Sequence, residues 1–304
     1  MRDILKGEDS QVAEVVRIAA RIDPDVLLLT DIDYDLTLAA LTALRDVMAR
    51  DGPEYPHIFA LRPNTGLPTG RDMDGDRRLG GPRDAQAFGY FNGQGGMAIL
   101  SKYPLGKAAD LSGMLWRDAP DNLLTDAALP PDLQAIQRLS TAGHWIVPVR
   151  IDGRTLSLMA WHATPPVFDG PEDRNGRRNA DELRLWTHLL DGILPIPPPE
   201  GPFVIIGNAN LDPLNGDGRS KVMAGFLSDP RLQDPGPLHG RVTVDWPEPT
   251  PGDLRVSYVL PSAELAINGA NVHWPPGEAA NKHRLVWVDL TLPGRETAQG
   301  PAPP

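Results

Sequence analysis

Short apolar runs that stop abruptly on polar residues organise this chain. Val26-Leu-Leu-Leu29 leads into Thr30 and Asp31, Leu158-Met-Ala-Trp161 into His162, and Phe203-Val-Ile-Ile206 into Gly207, Asn208, Asn210 and Asp212. Runs of this length read as buried strands, which carry no polar group until they emerge. A helical period separates them. Residues 11–21 place Val12, Val15, Val16 and Ala19 on one face, with Ser10 as the expected cap and Asp23-Pro24 as the stop. Further helices are expected over 36–50, 179–190 and 221–227, and further strands over 57–61, 96–100, 255–260 and 284–290. Residues 145–150 and 155–161 read as a hairpin around Asp152-Gly153. A Gly/Asp/Arg loop occupies 62–95, and 195–202 is a proline-rich connector. The alternation predicts one mixed α/β domain over 1–292, followed by a Pro/Gly/Ala-rich tail over 293–304.

Composition narrows the chemistry. The 304 residues contain no cysteine, which excludes thiolate nucleophiles, disulfides and Cys-ligated zinc. The formal charge of -11 argues against broad nucleic-acid binding, which needs a basic surface. No apolar run is long enough to span a membrane. The charged start, MRDILKGEDS, has no secretory apolar region, so a cytoplasmic monomer is the default expectation.

The candidate chemistry lies where the strands end. Asp31, with Asp33 and Asp35 after it, His162, the Asn208/Asn210/Asp212 group and His283 all sit at strand boundaries. Open α/β folds gather ligands at such edges. Carboxylate and amide oxygens suit a hard cation such as Mg²⁺ or Mn²⁺, and imidazoles beside them suit an anionic oxygen. Together they point to phosphoester hydrolysis. Each piece also has a structural reading. Asp31 to Asp35 would serve as the acidic start of a helix. Asn-Ala-Asn-Leu-Asp-Pro is a good turn. Residues 169–179 would be a solvated loop with a helix start, while in the functional reading its Arg174, Arg177 and Arg178 reach a phosphate.

Taken in order, the runs HATPPVFDGPEDRNGRRNADE, RVSYVLPS and HRLVWVDL resemble a bacterial branch of the endonuclease/exonuclease/phosphatase superfamily, which includes deoxyribonuclease I-like nucleases, sphingomyelinases and inositol polyphosphate phosphatases. The resemblance implies a four-layer α/β/β/α sandwich of two mixed sheets flanked by helices, with the site at one end of the sheets. It places the metal acid on Asp31, with Asp212 as a second metal ligand. Phosphate-contacting and catalytic roles fall on His162, Asn208, Asn210 and His283, and substrate binding on Arg174, Arg177 and Tyr258. It also shows departures. Asn208 stands where the family has Asp, Ser257 replaces the carboxylate that orients the last histidine, and Lys282 replaces a metal-binding Asp. The family's usual first strand has no counterpart before Met1, so a longer, exported product is a further expectation. A neutral amide cannot act as a general base. Two functions therefore follow from the resemblance: a Mg²⁺- or Mn²⁺-dependent phosphoesterase acting by in-line water attack, or a degenerate member that binds a phospho-ligand or a protein. A small phosphate ester is the expected substrate, ahead of nucleic acid.

Overall fold

The computed structural model describes residues 2–236, 242–247, 250–275 and 280–294. The central unit is a five-stranded sheet, ordered β4 (Ala109–Asp110), β5 (Gly143–Ile151), β6 (Arg154–His162), β7 (Phe203–Asn208) and β8 (Ser257–Pro261). Only β6 and β7 run parallel; every other pair in it is antiparallel. The β5–β6 hairpin closes through Asp152 and Gly153, both at positive φ, as a two-residue turn matched to strand twist requires. A second sheet, ordered β1 (Val26–Ile32), β3 (Gly96–Ser101), β2 (His57–Phe59), is wholly antiparallel.

Side-chain alternation builds the layers. Trp145, Val147 and Val149 of β5, Leu156, Leu158 and Ala160 of β6, and Val204 of β7 face Met97 and Ile99 of β3. This is the inter-sheet core. The opposite faces, through Ile146, Met159, Trp161, Phe203 and Ile205, pack on Leu185, Trp186 and Leu189 of α5 (Arg174–Leu190) and on Met223 and Phe226 of α6 (Ser220–Leu227). On the far side, Leu27, Ala98 and Leu100 meet Ala19 of α2 (Ser10–Ile22) and Leu41, Leu44 and Met48 of α3 (Ala39–Asp51). The result is the expected order of helices, sheet, sheet and helices. Strands with period-two apolar residues on both faces can only be buried between such layers.

Several elements differ from the sequence reading. Asp9, not Ser10, caps α2, accepting the Val12 N–H at 3.0 Å. Helix α5 begins at Arg174, five residues before the expected 179, so the Arg174 to Arg178 run lies in its first turns. Short helices α1 (Arg2–Lys6) and α4 (Pro131–Gln134) carry too few residues to show a period. A third, two-stranded unit pairs β9 (Ala266–His273) with β10 (Leu285–Thr291). Strand β9, AINGANVH, escapes sequence detection because Asn and Gly are poor strand formers. The tail lies mostly outside the described residues. No described helix is long and apolar enough to cross a membrane.

Candidate active site

Asp31 is not beyond the end of β1 but inside it, in a bulge. Thr30 pairs with Met97 and Ile32 with Gly96, leaving Asp31 as the extra residue. Its φ is +60°, a strained value for a residue with a Cβ. The bulge turns an exposed carboxylate toward the loop before β3, and Gly95 makes the room. A Cβ on Gly95 would lie 2.7 Å from Asp31 Oδ1, and Gly95 itself sits at φ +57°. Asp33 secures the same loop by accepting the Gly95 N–H at 3.1 Å. Asp35 follows the helix-start reading. Its carboxylate accepts the N–H groups of Thr37, Ala39 and Ala40, which hold its pKa down to about 2.

His162 and Asn208 end adjacent parallel strands and are register partners. Gly207 permits the close approach, since a Cβ there would fall 1.9 Å from Trp161 O. Asn208 is buried, and its Oδ1 accepts the Asn210 N–H at 2.9 Å. That bond turns Nδ2 toward His162 Nε2, 3.3 Å away. With the amide as donor, Nε2 is the acceptor and the imidazole proton sits on Nδ1, a buried atom without a protein partner. Burial pushes the His162 pKa down to about 4; the Asp31 carboxylate opposes the shift and His283 adds to it. Asn210, at φ +49°, ties its Nδ2 to Ala163 O at 2.8 Å.

His283 arrives from the other side. Val244 bridges to it, the Trp246 ring stands edge-on at 5.6 Å, and Lys282 O accepts the Asp245 N–H. Its pKa is lowered, first by loss of water around part of the ring; Asp31 opposes this and Arg284 reinforces it. Asp31 therefore acts on both histidines. Ser257 lies beside this segment through its N–H to Thr243 Oγ1 at 3.0 Å. Lys282 is exposed. Asp31, His162, Asn208, Asn210 and His283, spread over 253 positions of sequence (31 to 283), thus share one end of the two sheets.

The chain's family profile, "Endonuclease/Exonuclease/phosphatase family", matches residues 5–288. The chain belongs to the endonuclease/exonuclease/phosphatase family. Solved structures agree in fold. A family protein from Beutenbergia cavernae superposes with a TM-score of 0.60 at 16% identity, covering 94% of this chain and 67% of that one. The catalytic domain of human nocturnin with bound sulfate gives 0.52 at 13% identity, with coverages of 93% and 86%. D. rerio TDP2 complexed with a single-strand DNA product gives 0.53 at 14%, covering 93% and 92%. None of the curated protein sequences compared with the chain matches it.

Within this family frame, several residues expected in the site are committed to the scaffold. The carboxylate of Asp212 accepts the N–H groups of Leu214, Asn215 and Arg255 at 2.7–2.9 Å, and it is withdrawn from the metal set as a loop brace. Tyr258 is buried, its hydroxyl 2.8 Å from both Leu211 O and Arg255 O, so it cannot reach substrate. Arg174 donates to Ala127 O and Met73 O. Arg177 donates to Glu172 O and Asp126. Both arginines anchor loops instead of facing the histidines. Arg178, also buried, caps the carbonyls of Arg138, Leu139 and Ser140.

The HATPP…RRNADE run has a positioning role that sequence reasoning missed. Asn179 Nδ2 donates to Thr164 O and to Ala209 O, both at 2.7 Å. One amide thus ties the loop after His162 to the residue between Asn208 and Asn210. Glu182 accepts the N–H groups of Thr141 and Thr164. Burial raises its pKa to about 7 despite the Arg178 charge beside it. The available signal was an Asn and a Glu at i, i+3 on an otherwise apolar helix face. Elsewhere Asp72, Asp74 and Asp84 bring carboxylate oxygens within 4.8 Å of one another in the 62–95 loop. Asp72 and Asp84 each hold two loop N–H groups, and Asp74 holds one.

Proposed function

We propose that this chain hydrolyses a phosphate mono- or diester with Mg²⁺ or Mn²⁺, by in-line attack of water. The observation that supports this most is the convergence of Asp31, a carboxylate with no hydrogen bond among the described residues, with two imidazoles that are neutral at pH 7. The donor set fits a small hard cation, which takes one or two carboxylates and completes its shell with water and substrate oxygens. Asp31 would hold it, with Asp33 beside. When bound, the cation would neutralise charge developing on the phosphoryl group. Positive charge there would also keep both rings unprotonated.

The chain's own groups then divide the work. His162 stands beside Asn208 as a neutral ring at the strand end, its Nε2 facing the amide and its Nδ1 buried. Asn208 sets that tautomer rather than acting as a base. His283 takes the proton of the attacking water onto its free ring nitrogen, a role for which a lowered pKa suits it at neutral pH. Asp31 is the carboxylate whose charge reaches His283, where Ser257 supplies none.

A second reading is favoured by one observation: no side chain of Asn208 or Ser257 gives either histidine a carboxylate partner. On that reading the chain binds a phospho-ligand or a protein without turnover. Hydrolysis of bis(p-nitrophenyl) phosphate with Mn²⁺ separates the two. The hydrolase reading expects activity in the natural chain and about a 10²-fold loss on Asp31→Asn or His283→Ala. An inactive natural chain, with activity appearing in the Asn208→Asp/Ser257→Asp double variant, would hand the case to the binding reading.

A further inference from the structure

Ten large apolar side chains are exposed among the described residues, and six of them lie on the loops that carry the site: Leu36, Phe88, Tyr90, Phe91, Phe168 and Leu214, each between 51% and 78% exposed. Leu36 follows Asp31 by five positions, and Phe168 follows His162 by six. Leu214 follows Asn210 by four. Tyr90 and Phe91 precede Gly95, the residue against the Asp31 carboxylate. These loops are fastened in two pairs. Gly93 O accepts the Tyr34 N–H at 2.7 Å, and Asn210 Nδ2 reaches Ala163 O. Phe88 and Tyr90 pack edge to face, with centroids 5.4 Å apart, while both stay open to water. Apolar side chains exposed together on the loops that carry a polar site mark a binding surface more than a scatter of single exposures does.

We infer that this collar selects a phosphoester whose ester group is apolar and planar, an aryl group above all. The inference rests on the proposed phosphoesterase reading for the phosphate end of the site. Its own support is the chemistry of the rim. The guanidinium groups of α5 and of the segments beside Asn208 and His283 are spent on the scaffold: Arg174, Arg177 and Arg178 on loop carbonyls, Arg219 on Asp173, Arg255 on Asp234 and Arg284 on Asp245. With a net charge of -11 besides, that side of the mouth is poorly equipped to hold a second phosphate. Aromatic rings at the lip instead offer stacking and edge-to-face contact to a flat apolar group. One anionic phosphorus centre would sit at the histidines, with its uncharged substituent against Tyr90, Phe91 and Phe168.

Calorimetric titration of the full chain, in the presence of Mn²⁺, with methylphosphonate and with phenylphosphonate tests this without requiring turnover. The expected result is about tenfold tighter binding of phenylphosphonate, a difference of about 1.4 kcal/mol. In Tyr90→Ser and Phe168→Ser that preference shrinks toward unity while methylphosphonate affinity stays the same. These positions are exposed, so folding is retained, and thermal melting checks it. Equal affinity for the two phosphonates in the natural chain overturns the collar and leaves the phosphate site standing. So does a preference that survives both substitutions. Binding of neither phosphonate overturns the phosphate site and the collar with it.

Discussion

The two sheets end at the same place but are finished differently. In the five-stranded sheet, and in the helix α5 that covers it, most polar groups the motifs supply are bonded, with His162 Nδ1 and Asn179 Oδ1 as exceptions. Arg178, Asn179, Glu182, Asp212, Arg255 and Tyr258 all serve backbone groups or a partner charge. Strand β1 and the β9–β10 ribbon are looser, although β3 beside β1 is buried throughout. Of β1 only Leu27 is buried, and Asp31 and His283 stand exposed at the open edge. A buried polar group must be paired or it costs stability. The well-packed half can therefore hold the site in position but keeps few groups free. The open half holds the carboxylate and the imidazole that remain free to react.

The widest test of this division is Glu182→Ala. It removes the acceptor of two buried N–H groups and leaves Arg178 without its neighbouring charge. The expected loss is about 3–5 kcal/mol of unfolding free energy, read from urea denaturation. A loss below about 1 kcal/mol would dissolve the distinction between the halves.

Gly95→Ala probes the open half. The added methyl meets Asp31 Oδ1 and is forced to positive φ, so the carboxylate must move. Activity on bis(p-nitrophenyl) phosphate should fall about 10²-fold, the usual consequence of displacing a reacting group by about an ångström. The denaturation midpoint should shift far less than in Glu182→Ala. An unchanged rate would remove Asp31 from the site.

The smallest effect is a matter of pH. Burial raises Glu182 from 4.5 to about 7, so its share of stability is full below 4.5 and is lost as pH climbs through 7. Burial lowers His144, held by Ser140 Oγ and Glu182 O, from 6.5 to about 4. Its share is full above 6.5 and is lost as pH falls through about 4. Between 4.5 and 6.5 the two slopes oppose each other. Burial lowers His162 in the same way as His144, so Glu182→Gln should steepen the rise of stability with pH over that window, while His144→Gln should flatten it. Identical pH profiles for both variants and the natural chain would show that these buried groups do not titrate with folding.

Much of the fold was readable in advance. The four-residue apolar runs became β1, β6 and β7, and the Asp152-Gly153 hairpin closed where expected. The resemblance also led to Asp31, His162, Asn208, Asn210 and His283 as one group. The errors share a cause. Arg174, Arg177, Tyr258 and Asp212 have the right side-chain chemistry for phosphate or metal, and nothing in a linear sequence shows that a backbone carbonyl or N–H from a distant loop has already claimed it.

What the polymer's order of residues determined is the layering. Apolar residues at period two on both faces of a strand can be satisfied only between two packed layers, whatever the loops do. What only the folded chain decided is which polar groups stay free. That depends on pairings across long sequence distances, such as Asp212 with the Arg255 N–H, Asn179 with Ala209 O, and Gly95 giving way to Asp31. Hydrogen bonding saturates, so a side chain's chemistry is available only once its tertiary neighbours have been counted.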